Sequence, residues 1–294
     1  MSKNKSRVAI ASDTDRYKTV RLALELIEED IATKIRDKKR IVIKPNFVNV
    51  LRSLACTQVG TVEAILDVVT KYTDRQITIA EGSATSTWAG FARFGYLPLK
   101  RKHDVKFINL NRDRSRHVDI FNSDLHKLSV PVADTILSSD FLISAAVMKT
   151  HDTVLVTLGL KNVLVGAIKG TSQKGRIHQG YKAINLTLAK LAEIYHPHLS
   201  VVDGWRAMEG NGPSGGTTVN MKIAVASMDF LAADIVVTDL MNFKLEEIGY
   251  LWHLRNTGIG AGNLQNIEIL GESLDDHRHS FKRHRSWRSQ LNWK

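Results

Sequence analysis

The chain has 294 residues, a formal net charge of +11, 43% hydrophobic and 24% charged residues, and a single cysteine. This length and balance suit a folded domain with a large core and exclude a fibrous or disordered chain. With Cys56 alone, an internal disulfide, a CxxC redox pair and a cysteine-ligated iron–sulfur cluster are excluded within one chain.

In chain order, MSKNKSR leads directly into VAIAS (8–12), with no signal-peptide hydrophobic region, and no run of ~18 apolar residues follows. The cytoplasm is therefore the expected compartment, with no membrane partner. Short Val- and Ile-rich runs recur at IVIK (41–44), ITIA (77–80), VKFINL (105–110), FLISAAV (141–147), LSVVD (199–203) and MKIAVAS (221–227). Such runs suit strands buried on both faces. Residues 17–35, 61–72, 181–195, 229–241 and 245–256 carry helical spacing of apolar residues between these runs. The alternation predicts an α/β fold, a mainly parallel, Rossmann-like sheet with helices on both faces. HVDIF and HKLSV flank Asn122-Ser123-Asp124 and predict a small β-hairpin excursion within 112–130. Residues 1–272 read as one domain and 273–294 as a basic His/Trp/Arg-rich C-terminal tail, with six Lys/Arg against two Asp from Asp275 to Lys294.

In an open parallel sheet, ligands bind beyond the carboxyl ends of the strands, where loops and helix N-termini converge. Applied here, the rule singles out Lys44-Pro45-Asn46, Glu81-Gly82-Ser83, Lys149-Thr150-His151 and Asp203-Gly204. A Lys or Asp after one strand is commonly a solvated loop residue or a helix cap; four functional strand ends together argue for a site. No GxxxxGK[ST] and no GxGxxG opening the first βα unit is present, so nucleotide binding through those motifs is not supported.

Residues 148–180 bring Lys149, His151, Lys161, Lys169, Lys174, Arg176 and His178 together with Asp152 as the opposing acid. Crowded cations lower one another's pKa and favour a bound carboxylate or phosphate. A lysine so tuned serves as a base or forms a Schiff base; a neutral imidazole transfers protons or ligates a metal. His151 and His178 match no local zinc spacing. The stretch DGWRAMEGNGPSGG (203–216) reads as a Gly-rich lid or substrate loop carrying Asp203 and Glu209, two acids compatible with a divalent metal beside His151 or His178.

Taken in order, Val42-Ile43-Lys44-Pro45-Asn46, Ile79-Ala80-Glu81-Gly82, Met148-Lys149-Thr150-His151, Leu160-Lys161-Asn162, His178, and Asp203-Gly204 with Met208–Pro213 resemble the blocks of the domain of unknown function family 362. The resemblance spans roughly residues 8–262 and leaves the C-terminal tail outside. It implies a domain identity without an assigned activity, and it groups Lys44, Asn46, Glu81, Lys149, His151, Lys161, Asn162, His178, Asp203 and Glu209 as one constellation. Members that look like iron–sulfur proteins carry an additional ferredoxin-like cysteine segment; with Cys56 alone, that implication is not carried over, and no such cluster is expected. A looser similarity is to the nickel-pincer lactate racemase group. It would make Lys149, Lys161 or Lys174 a cofactor attachment site and His151 or His178 a metal ligand.

The favoured expectation is an enzyme acting on a small anionic carboxylate or phosphate substrate. Lys149, His151, Lys161 and His178 are its expected catalytic residues, and Lys44, Asn46, Glu81, Gly82, Asn162, Asp203 and Glu209 its expected substrate-binding residues. One alternative is a nucleic-acid-binding or RNA-processing protein that uses residues 275–294, where Arg285, Trp287, Arg288 and Trp293 interleave cations with rings. Another is a metal-dependent oxidoreductase or racemase.

Overall fold

In the computed structural model, which describes residues 5–294, the apolar runs become strands at the predicted places. In chain order the strands are β1 (Ser6–Ser12), β2 (Ile41–Lys44), β3 (Ile77–Glu81), β4 (Val105–Asn109), β5 (Ser115–Phe121), β6 (Lys127–Ala133), β7 (Phe141–His151), β8 (Leu155–Thr157), β9 (Leu199–Glu209), β10 (Thr217–Val219), β11 (Ile223–Ser227) and β12 (Ile267–Gly271). The large sheet has the order β12-β1-β11-β9-β7-β2-β3-β4, with β8 added to β7 and β10 to β9. From β9 to β4 every pairing is parallel, as is β1 with β12. Along this path β11 runs antiparallel to both neighbours. The predicted hairpin is β5–β6, a separate two-stranded sheet whose turn closes on Asn122 Oδ1, acceptor from the amides of Asp124 and His126.

Period-two alternation divides the apolar residues between two cores, one on each face of the sheet. Ala9, Ala11, Ile41, Ile43, Ile77 and Ile79 meet the helices Arg16–Glu25, Glu28–Ile35 and Val59–Val69. Val8, Ile10, Val42, Ala80, Leu142 and Ala146 meet Gly159–Gly166, Tyr181–Ile194, Phe230–Leu240 and Gly249–Leu254. The helix expected over 17–35 is two helices. Ile27 leaves helical geometry at φ −120°, ψ 22°, and the chain restarts with Glu28, Glu29 and Asp30 in a first turn whose exposed N–H groups favour acids.

β7 and β9 run on past the apolar stretches that announce them. Lys149, Thr150 and His151 remain in strand, paired with β8, and 203–209 is the second half of β9 rather than the start of a lid loop. β10 returns along it, pairing Thr217 with Glu209. Only the Gly-rich residues 210–216 form the connection.

The last twenty residues are not a solvated extension. Phe281, His284, Gln290 and Trp293 are buried. Arg283 makes a paired contact with the Glu247 carboxylate and lies over the rings of Phe243 and Trp287. Trp293 Nε1 donates to Glu247 O. The aromatic rings of this segment are thus engaged within the chain.

Candidate active site

The parallel order β7-β2-β3 sets the carboxyl ends of these strands side by side, and their polar termini join in one hydrogen-bonded chain. Lys44, the last residue of β2, is fully buried, and its Nζ lies 2.5 Å from Glu81 Oε2 at the end of β3. The same amine donates to Pro45 O and to Asn162 Oδ1. Asn162 Oδ1 also accepts from Asn46 Nδ2 at 2.8 Å, while its own Nδ2 donates to Lys44 O and Ser144 Oγ. Asn46 Oδ1 in turn accepts from Lys149 Nζ at 2.6 Å, and Lys149 completes the chain by donating to Ala55 O. Every buried amide and amine in this chain has partners, the condition under which a buried polar network rigidifies a site instead of weakening it. Burial pushes the Lys149 amine down to about 7.

Lys161 and Asn162 lie in the first turn of helix Gly159–Gly166. Asp234 holds that turn: its carboxylate accepts from Gly159 N at 2.9 Å and Leu160 N at 3.1 Å. Lys161 Nζ lies 2.9 Å from His151 Nε2. The other ring nitrogen, Nδ1, accepts from the Thr153 backbone N–H at 3.0 Å. A backbone N–H cannot turn away, so Nδ1 is unprotonated and the proton of the neutral ring sits on Nε2. That N–H points at Lys161, a contact that is attractive only if the amine offers its lone pair. The Asp152 carboxylate lies 3.1 Å from Nδ1, where it competes for the same edge of the ring without making an aligned hydrogen bond. Burial lowers the Lys161 pKa to about 8, and burial together with Lys161 holds the His151 imidazole well below its ordinary value. His178 is exposed; its ring lies nearly parallel to that of His151, with centroids 6.4 Å apart, and its pKa is lowered by desolvation and by Lys161.

These groups face a cavity of about 320 Å³, of the size that takes a small molecule. Lys44, Asn46, Glu81, Gly82, Asn162 and the pair Lys161 and His151 line it, as does His178. Lys174 lines it too, with burial lowering its amine to about 8. Its Nζ donates to Asn111 Oδ1 at 2.8 Å, and Asn111 Nδ2 donates to Ser83 O. A side chain at Gly82 would stand 3.0 Å from Gly166 O and 3.1 Å from Lys174 Nζ, and one at Gly166 would overlap Lys44, so both positions keep the floor open. Asn111 was not among the expected residues. It follows β4 closely, and the strand-end rule that selected Lys44 and Glu81 reaches it when extended to that strand.

Asp203 and Glu209 stand apart from this cavity. Asp203 shares the strand face of Leu199 and Val201, which pack in the core formed with helix Val59–Val69. Its carboxylate accepts from Thr61 Oγ1 and Trp205 N, pairs with Arg16 Nε at 3.2 Å, and borders a separate small cavity. Glu209 accepts from Lys282 N at 2.8 Å and so fastens the C-terminal segment. Lys149 does not line the main cavity either; it supports Asn46 from behind. Among the described residues no group of three or more His, Cys, Asp or Glu is placed to hold a metal ion. Of the two carboxylates that border the cavity with these imidazoles and amines, Glu81 is paired with Lys44 and Asp152 lies beside His151. Also among the described residues, no helix is long and apolar enough to cross a membrane.

The solved structure of the lactate racemase apoprotein from Thermoanaerobacterium thermosaccharolyticum has a similar fold, with a TM-score of 0.54 and 16% sequence identity over 82% of this chain. The match spans 58% of that chain. The thylakoid-associated protein sll1697 of Synechocystis sp. is 27% identical over 214 residues, covering 70% of this chain and 64% of the relative. The family model described as Domain of unknown function (DUF362) matches residues 41–239, a segment that contains every residue lining the main cavity. The chain belongs to this family.

Proposed function

We propose that the protein is an enzyme acting on a small substrate that bears a carboxylate or phosphate, with Lys161 and His151 at the reacting atoms. The observation that carries this reading is the 2.9 Å contact between Lys161 Nζ and His151 Nε2 at the wall of a small-molecule-sized cavity. A neutral amine is a base suited to abstracting a proton beside a carbonyl or carboxylate, and a neutral imidazole N–H is a donor to the oxyanion that develops. Lys174, oriented by Asn111, supplies positive charge for the anionic group. Lys44 is tied to Glu81, so its part, with Asn46 and Asn162, is to shape the floor. The similarly folded racemase is named for lactate, a small carboxylate, and that class is the first to test.

Incubation in D2O with small 2-hydroxy, 2-oxo and 2-amino acids and phosphate monoesters, followed by proton NMR, should reveal C–H exchange in one of these classes. Lys161→Met and His151→Asn should each slow it by about 100-fold or more, in line with loss of positioned acid–base groups. Absence of exchange across the panel, together with no thermal protection by acetate, lactate or phosphate, would overturn the proposal.

A further inference from the structure

Four lysine amines lie in or just behind the cavity, and their neighbours set them apart. Lys44 faces a carboxylate and two further oxygens, Lys149 faces two oxygens, and Lys174 faces the Asn111 oxygen. Each of these three is surrounded by acceptors and acts as a donor. Lys161 instead faces an imidazole nitrogen whose partner on the ring is engaged by a fixed backbone donor. It is therefore the amine of the four that presents a lone pair, and among the described residues no carboxylate lies within ion-pair distance to hold it protonated.

We infer that Lys161 condenses with the carbonyl carbon of a small 2-oxo acid or aldehyde acid to form an imine. This rests on the reading of the cavity as the active site. The Lys161 nitrogen attacks the carbonyl carbon, a C–N bond forms and the carbonyl π pair moves to oxygen, toward which His151 Nε2–H turns as a hydrogen-bond donor. One nitrogen proton passes to that oxygen to give the carbinolamine. The second leaves with the hydroxyl as water while the nitrogen pair closes the C=N bond. Amine and carbonyl thus give imine and water, with no oxidant or reductant. Lys174 meets the substrate carboxylate, and burial of Lys161, which lowers its amine from 10.5 to about 8, raises its free-base fraction near neutrality far above that of an exposed lysine.

The test uses the full chain at pH 7 with glyoxylate, the smallest aldehyde carrying a carboxylate, and sodium cyanoborohydride to reduce any imine, followed by peptide mapping. Lys161 should be labelled about tenfold or more faster than exposed Lys18 and Lys182. Lys161→Arg, which keeps size and charge, should leave only the slow surface labelling, and His151→Asn should slow the reaction at Lys161. Labelling of Lys161 no faster than Lys18 and Lys182 overturns the imine. Glycolate, which has no carbonyl, separates the two readings. If glycolate and glyoxylate both protect against thermal unfolding yet Lys161 is not labelled, the imine falls and the small-anion site stands; if neither protects or labels, both fall.

Discussion

A backbone amide two residues beyond a histidine decides the state of Lys161. Because Thr153 N–H occupies His151 Nδ1, the imidazole must present Nε2–H to the lysine, and protonating Lys161 would set donor against donor. The pH dependence follows. Chemistry that needs the Lys161 free base rises with pH and levels off above about 8, the value to which burial lowers this amine. The ascending limb of a pH profile of Lys161 labelling, or of kcat/KM once a substrate is known, should lie there. A flat profile between pH 6 and 9 would show that Lys161 is not the titrating group. At this scale the sequence singled out two residues that the structure brings into contact, since Lys161 and His151 stood out among the crowded cations of 148–180. It could not show that Lys149 turns to Asn46 and Ala55 instead of the cavity, because β7 is buried on both faces and the face Lys149 shares with Ile143 and Ala145 meets these groups only through the packing of a loop about a hundred residues away.

His151 ends β7, and the turn that follows it into β8 is held from the far end of the chain. Gln290 Nε2 donates to His151 O at 3.1 Å, Gln290 Oε1 accepts from Leu155 N at 2.6 Å, and Ser286 Oγ donates to Asp152 O. Gln290→Leu would leave a buried N–H and C=O unpaired, which costs about 1–3 kcal/mol. It should also impair reactions at Lys161, because the His151 ring is set by this turn. Urea unfolding monitored by circular dichroism, alongside the Lys161 labelling rate, checks both effects; no change in either would mean that the segment merely covers the surface. The strands of this region were legible from their apolar runs. Their extension to His151 and Glu209 was not, since polar residues stay in strand only when hairpin partners such as β8 and β10 satisfy their backbone.

Across the whole molecule, buried amines make stability depend on pH in a defined window. Burial holds Lys149 at about 7 and Lys161 and Lys174 at about 8, against an ordinary value of 10.5. Between these values the unfolded chain binds more protons than the folded one, so stability rises as pH rises from about 7 toward 10.5 and falls as these amines are protonated. Asp234, raised by burial to about 7, acts in the window below: there the folded chain binds the extra proton, and stability falls as pH climbs from 3.8 to about 7. Calorimetry should show the melting temperature increasing between pH 7 and 9, with a shallower increase in Lys149→Met. An unchanged slope in that variant would indicate that Lys149 stays charged in its buried site. By itself the sequence determined the parallel α/β frame, the β5–β6 hairpin and the strand ends bearing Lys44, Asn46, Glu81 and His151, because these follow from local periodicity and from where apolar runs stop. Only the tertiary structure decided that Asp203 faces the opposite core, that Gln290 braces His151 and that Lys161 meets a hydrogen-bond donor. A strand buried on both faces does not disclose which face holds the site, and protonation is set by burial and by neighbours far away in the chain.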